Sequence, residues 1–231
     1  MNQDWCFTSE SPVGDLPNLF IVADGMGGHK AGEYASRHTV DIVVETVKQL
    51  HGEPAEILKE AIRTANEDLR RQAAEDESMK GMGTTIVAAF ISRDRLCVAN
   101  VGDSRLYIVN DHMIQVTQDH SLVEEMVRMG ELDRETARKH PDRNIITRAV
   151  GAAGRIDIDI FETNITAKDE ILLCSDGLTN MLEDEEIRRI IKGQRDTAEK
   201  AERLVERANA KGGKDNITVV VIDPFSDEVK G

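Results

Sequence analysis

Hydrophobic positions along the chain switch between two periods, and the switches outline its elements. After Trp5 and Phe7, an apolar alternation, Ser9 to Pro17 is a turn-rich connection. Leu19 to Ala23 is then a continuous apolar run, the pattern of a buried strand. From about Gly32 the apolar positions take helical spacing at Ala35, Val40, Val43, Val44 and Val47, and Gly52-Glu53-Pro54 ends the run. Pro54 suits the first turn of a second helix, with Ile57, Leu58, Ala61, Ile62, Ala65 and Leu69 as its stripe. The two helices predict one layer over a sheet. Strands follow at Thr84 to Ile91, Leu96 to Val101, Leu106 to Val109 and Met113 to Val116. Connections this short favour antiparallel pairing over crossovers.

The rhythm breaks from about Gln118 to Ala149, a polar insertion rich in Arg and Glu. Asp119-His120-Ser121 caps a short helix there, with Leu122, Val123, Met126 and Val127 on one face, and Asp133 to Lys139 forms another turn. This stretch predicts a flap on a sandwich. Strands resume at Ile158 to Thr163 and Glu170 to Cys174, and helices follow at about Glu183 to Lys192 and Thr197 to Ala210. Ile217 to Ile222 is the last strand, and the tail, about 226–231, is expected to fray. A single domain over 1–231 is the expected organisation.

Composition narrows the function. Aromatic residues make up only 3%, so the core is expected to consist of Ile, Leu, Val and Ala. A net charge of −14 argues against a nucleic-acid groove or an anionic membrane surface as partner. No apolar stretch approaches the ~18–20 residues of a membrane span, and no signal peptide is evident. Cys6, Cys97 and Cys174 show no metal or disulfide spacing, which fits a reducing compartment. The expected location is cytoplasmic.

Three times an apolar strand delivers an aspartate into a glycine-containing turn: Ala23-Asp24-Gly25, Val101-Gly102-Asp103 and Ser175-Asp176-Gly177. A fourth aspartate, Asp215, opens the final strand. Taken alone, Asp24-Gly25 is equally well a hairpin signal. In facing antiparallel sheets, however, these strand ends gather at one edge, where carboxylates repel unless a cation sits among them. With no His or Cys at ligand spacing the donors are all oxygen, which selects Mg²⁺ or Mn²⁺ over zinc. Two such ions support hydrolysis at phosphorus by an activated water. The glycine loop is not a Walker loop, because His29-Lys30-Ala31 stands where Gly-Lys-Ser/Thr belongs.

With Asn2-Gln3-Asp4, Asp24-Gly25-Met26-Gly27-Gly28-His29, Gly81-Met82-Gly83-Thr84-Thr85, Gly102-Asp103-Ser104-Arg105, Asp119-His120-Ser121, Ser175-Asp176-Gly177-Leu178 and Asp215-Asn216-Ile217-Thr218 in this order, the chain resembles the protein phosphatase 2C family, in its bacterial branch. The motifs run from residue 2 to residue 218. The resemblance implies an α+β fold, a four-layer α-β-β-α sandwich of two antiparallel sheets flanked by helices, with a flap at about 121–148. It implies a cytoplasmic signalling hydrolase: a phosphoserine/phosphothreonine protein phosphatase dependent on Mn²⁺ or Mg²⁺, in which a water bridging two ions attacks directly. Its partners are phosphorylated proteins and an opposing serine/threonine kinase, and it is expected to be a monomer.

Carried over residue by residue, Asp24 bridges two ions, Gly25 ligates one through its carbonyl, and Asp176 and Asp215 complete the first ion's shell. Asp4 acts from close by, Asp103 with Asp176 holds a third, weaker ion, and Asn216 supports the site from behind. Thr84 and Thr85 are read as core-strand residues, with hydroxyls that steady the metal loops as the alternative, and Arg105 as the partner of a carboxylate rather than a substrate-binding residue. Met26 replaces the His that many eukaryotic members carry, which leaves the proton donor unassigned between His29, His120 and a water. Relatives also carry a strand ahead of the Asn-Gln-Asp motif, with an Arg that contacts phosphate. The sequence starts at Met1, so either the start is internal or both features are missing, with weak substrate binding and an exposed sheet edge as consequences. The alternative function is therefore a catalytically weak or inactive metal-binding module that holds phosphoproteins.

Overall fold

Alternation of side chains along each strand sorts them onto two faces and stacks three apolar layers. The computed structural model describes residues 2–226, apart from the His29 side chain; the rest of the expected frayed tail, 227–231, lies outside the described residues. In chain order the strands are β1 (Asp4–Ser9), β2 (Leu19–Met26), β3 (Gly83–Thr84), β4 (Ile86–Ser92), β5 (Arg95–Val101), β6 (Arg105–Val109), β7 (Met113–Gln115), β8 (Asp159–Asn164), β9 (Glu170–Cys174) and β10 (Val219–Ile222). The helices are α1 (His29–Gln49), α2 (Pro54–Glu75), α3 (Leu122–Arg128), α4 (Arg134–Lys139), α5 (Asp176–Thr179), α6 (Asp184–Ile191) and α7 (Thr197–Ala210). One sheet runs β1-β2-β4-β5-β8, with β3 also on β2, and the other runs β10-β9-β6-β7. Every ladder between these strands is antiparallel.

On β2 and β4, Ile21, Ala23, Ile86, Ala88 and Phe90 face α1 and α2, where Val43, Val47, Leu58 and Ile62 meet them. Their neighbours Phe20, Val22, Val87, Ala89 and Ile91 face the other way, against Leu106, Ile171, Leu173 and Val220 of the second sheet. Tyr107, Val109, Leu172 and Cys174 on that sheet's far side pack on Leu178, Ile187 and Leu204 of α5, α6 and α7. Two antiparallel sheets thus lie face to face with helices outside each, the α-β-β-α order expected. Among the described residues no helix is long and apolar enough to cross a membrane.

Local signals set the helix starts. Pro54 opens α2, and the Glu53 side chain accepts the Glu56 N–H at 2.9 Å. Ser121 and Asp133 cap α3 and α4 in the same way, which fixes the two turns of the flap.

Three strand ends depart from the expected pattern, all beside motif aspartates. The run from Thr84 to Ile91 is broken at Thr85, whose N–H donates to Asp24 O at 2.8 Å instead of continuing one ladder. Ser175-Asp176-Gly177 leads into a single helical turn, α5, rather than a plain turn. The last strand begins at Val219 and not Ile217, because the Thr218 N–H donates to the Ser175 hydroxyl at 3.0 Å. Strand period is legible in sequence, but a side chain that captures a backbone N–H is not.

Candidate metal centre

The register of β1 on β2 puts Asp4 directly opposite Asp24. Asp24 is held through its backbone: its N–H donates to Thr85 Oγ1 at 3.0 Å, and Thr84 Oγ1 donates to its carbonyl at 2.9 Å. Thr85 Oγ1 also lies 2.7 Å from Ser104 Oγ, so one buried hydroxyl ties the Asp24 turn to the turn carrying Asp103. The alternative reading, in which the two threonines steady these loops, matches the geometry. Gly25 donates its N–H to Gln3 O at 3.1 Å. A Cβ there would collide with the Gly32 backbone of α1, which is why the chain can pass so close.

Asp103 sits in a turn clamped by neighbours. His120 accepts the Gly102 N–H on Nδ1 at 3.0 Å and donates its own N–H to Gly102 O at 3.0 Å. Its Nε2 is 3.1 Å from Asp159 Oδ2, and Arg148 Nη1 donates to the other Asp159 oxygen at 2.8 Å. Both imidazole nitrogens are therefore engaged in holding structure. The His29 side chain lies outside the described residues. Arg105 is similarly occupied: its guanidinium donates from Nε and Nη2 to Asp119, at 2.6 Å for the shorter, and from Nη1 to Tyr107 Oη at 3.0 Å.

Asp176 opens α5 at the end of β9, and Asp215 lies in the loop leading to β10. Asn180 Nδ2 donates to Asp176 Oδ2 at 2.9 Å. Asn216 Oδ1 accepts the Gln3 N–H at 2.8 Å, which ties this loop to the start of β1. A residue absent from the expected set completes the frame. The buried Ser175 hydroxyl donates to Asp4 Oδ2 at 2.7 Å and accepts from Thr218 N–H, joining β1, β9 and β10. Ser104 and Ser175 each adjoin a motif aspartate, and that adjacency is the signal by which sequence alone points to them.

Burial and like charge act on these acids together. Burial, then the charges of Asp4, Asp176, Asp103 and Asp215, push Asp24 up to about 10. Burial, then Asp176 and Asp119, raise Asp103 to about 8, and burial with Asp215 and Asp4 raises Asp176 to about 6. Asp4 is raised as well, chiefly by burial. Such a cluster favours its ionised form only when positive charge is brought to it.

The residues fit a hard divalent cation on two counts. The donors are all oxygen. Asp4 Oδ1 and Asp176 Oδ1 are buried without a hydrogen-bond partner, an arrangement that is costly unless something else satisfies them. The fit concerns the donor set and its charge; among the described residues no three Asp, Glu, His or Cys side chains converge as a formed ligand group.

Gly177 keeps the two halves of the site together. A Cβ on it would run into the Asn216 carbonyl. Gly177→Ala is expected to cost about 3 kcal/mol or more of stability, because the obstacle is backbone and not a movable side chain. Urea denaturation measures it, and a loss below about 1 kcal/mol would mean the 215–216 loop yields easily.

Comparison with known proteins finds related chains. A family model described as protein phosphatase 2C matches residues 1–219. The chain is 43% identical over 215 residues to the serine/threonine phosphatase stp of Listeria monocytogenes, covering 90% of this chain and 85% of that one. The crystal structure of serine/threonine phosphatase Stp1 from Staphylococcus aureus superposes with a TM-score of 0.89 at 34% identity, over 96% of this chain and 88% of that chain. The catalytic domain of the serine/threonine protein phosphatase PstP, solved in complex with two manganese ions, superposes with a TM-score of 0.82 at 33% identity, over 96% and 90% of the two chains.

Proposed function

The chain belongs to the protein phosphatase 2C family of metal-dependent protein serine/threonine phosphatases, and on that premise we propose that it releases phosphate from phosphoserine and phosphothreonine at the edge formed by Asp4, Asp24, Asp103, Asp176 and Asp215. The observation that carries the reading is that Asp4 lies directly opposite Asp24 while Asp4 Oδ1 and Asp176 Oδ1 are buried with no hydrogen-bond partner. The whole stretch 1–231 serves as one phosphatase domain. Its substrates are phosphorylated proteins, so a serine/threonine kinase opposes it.

In this reading Asp24, the Gly25 carbonyl, Asp176 and Asp215 hold Mn²⁺ or Mg²⁺. Asp4 acts from close by, and Asp103 with Asp176 holds a third, weaker ion. When bound, the ions supply Lewis-acid activation of a water and charge neutralisation at the phosphoryl group. The protein's own part is pre-organisation. The Ser175 hydroxyl engages Asp4 Oδ2 and leaves the buried Oδ1 without a hydrogen-bond partner. Thr84 and Thr85 fix the Asp24 peptide on both sides, and His120 fixes that of Gly102. Asn216 holds the Asp215 loop against β1. Carboxylates held this way lose little freedom when they engage a cation and a substrate. The alternative, a non-catalytic phosphoprotein-binding module, gains no support: the sequence carries every motif aspartate, and the related chains are named phosphatases.

Phosphate release from a phosphothreonine peptide tests the proposal. Release is expected with Mn²⁺ present and is expected to fall to background in excess EDTA. A folded, Mn²⁺-loaded chain that releases no phosphate from phosphoserine or phosphothreonine peptides would overturn it.

A further inference from the structure

The flap is anchored at its two ends by short backbone bonds. Thr147 N–H donates to His120 O at 2.8 Å, and Leu122 N–H to Ile145 O at 2.9 Å. Between those ends, Val123 of α3 and Ala137 of α4 are buried apolar side chains, and apolar burial is non-directional and does not fix the flap's position. Among the described residues, the recorded side-chain hydrogen bonds and ion pairs from residues 123–145 to the body all come from one side chain, Arg138 of α4.

Its guanidinium makes a fork. Nη2 donates to Thr179 O at 3.2 Å and Leu182 O at 3.1 Å. Nη1 lies 3.0 Å from Glu183 Oε2 and 3.7 Å from Asp184 Oδ1. Thr179 is the last residue of α5, and Asp176 is the first. The same side chain therefore ties the flap to the short segment that begins with a site aspartate. Between flap and segment lies a cavity of about 650 Å³, bordered by Asp103 and Asp176 and walled by Val127, Arg138, Thr179 and Glu183.

We infer that Arg138 is a latch: it fixes the flap against the α5–α6 turn and so sets the width of the groove that a protein substrate must enter. A planar fork with several fixed donors holds two carbonyls and a carboxylate at once, which a lysine ammonium cannot reproduce. A groove already held at its working width spares the substrate the cost of ordering it. A small phosphate ester needs only the acidic edge, whereas a peptide touches both walls. Arg138 is thus a positioning residue for specificity and has no part in the chemistry.

The inference rests on the phosphatase reading for its substrate, so the test has two arms. In the first, the Mn²⁺-loaded full chain and its Arg138→Ala and Arg138→Lys variants are assayed on a phosphothreonine peptide and on p-nitrophenyl phosphate. The expected result for Arg138→Ala is a rise of about tenfold in KM for the peptide, with kcat within about threefold. The ratio of peptide to ester kcat/KM then falls about tenfold, and Arg138→Lys lies between. In the second arm, amide hydrogen exchange is expected to quicken over 123–145 in Arg138→Ala while α1 and α2 keep their rates. An unchanged substrate ratio in an active enzyme overturns the latch, as does unchanged exchange in the flap. If the wild-type chain hydrolyses neither substrate, the proposed function fails on its own, and the exchange arm alone decides the latch.

Discussion

Asp24→Asn is expected to lower phosphate release by about a thousandfold or more, while leaving the fold intact. Asp24 is the position on which all the other acids act, and its removal takes away both a donor and the charge that draws a divalent cation into the cluster. The amide has the same shape, so the Thr84 and Thr85 bonds to the backbone at this position survive. In the metal-free protein Asp24, pushed up to about 10, is uncharged near neutral pH, so the substitution exchanges one neutral group for another of the same shape. The variant's melting temperature is therefore expected to match that of the wild type. One readout falls while the other holds, which separates loss of function from loss of structure. Activity within about tenfold of wild type at saturating Mn²⁺ would remove Asp24 from the centre of the site.

The second large effect is thermal stabilisation by the cation, and it depends on pH. Asp24, Asp103 and Asp176 are raised on folding from 3.8 to about 10, 8 and 6. A carboxyl whose folded value is raised favours the folded state while it stays protonated. That contribution is complete below the unfolded value and is lost as pH rises through the folded one. Without metal the protein is thus expected to lose stability progressively from about pH 4 to about pH 10 as these groups ionise together. Cation binding needs the ionised carboxylates and releases their protons, so it offsets this loss increasingly as pH rises. At a free Mn²⁺ concentration of 100 times Kd the gain is about 2.7 kcal/mol, or ~5–10 °C for a chain of this size. Differential scanning fluorimetry in Mn²⁺ against EDTA at pH 5.5 and pH 8 measures it. A shift that is larger at pH 5.5 would contradict the assignment of these three carboxylates to the metal.

Much of this molecule is legible before any coordinates. The 3.6-residue stripes of α1 and α2 are buried as their spacing requires, from Ala35 to Val47 and from Ile57 to Leu69. The apolar runs of β2, β4, β5, β6 and β9 are buried strands as expected, and the fold divides the side chains of each between two layers. Strand-to-turn aspartates stand out by recurrence: Asp24-Gly25 alone equally marks a hairpin, but Asp103 and Asp176 repeat the pattern at other strand ends. Arg105 beside a carboxylate follows from the cost of leaving a guanidinium half-buried and alone.

Sequence by itself therefore determined the elements, their antiparallel order and the oxygen-rich character of the site, because all three follow from local periods and residue types. Tertiary structure alone decided three other matters. It set Asp4 opposite Asp24, a register that neither strand specifies without the other. It chose the Ser175, Thr85 and His120 side chains as the frame of the site, through hydrogen bonds between residues up to 171 positions apart, such as Ser175 to Asp4. It brought Arg138 onto the turn that starts at Asp176. A hydrogen bond between distant residues leaves no period in the chain, so its existence becomes visible only once the chain is folded.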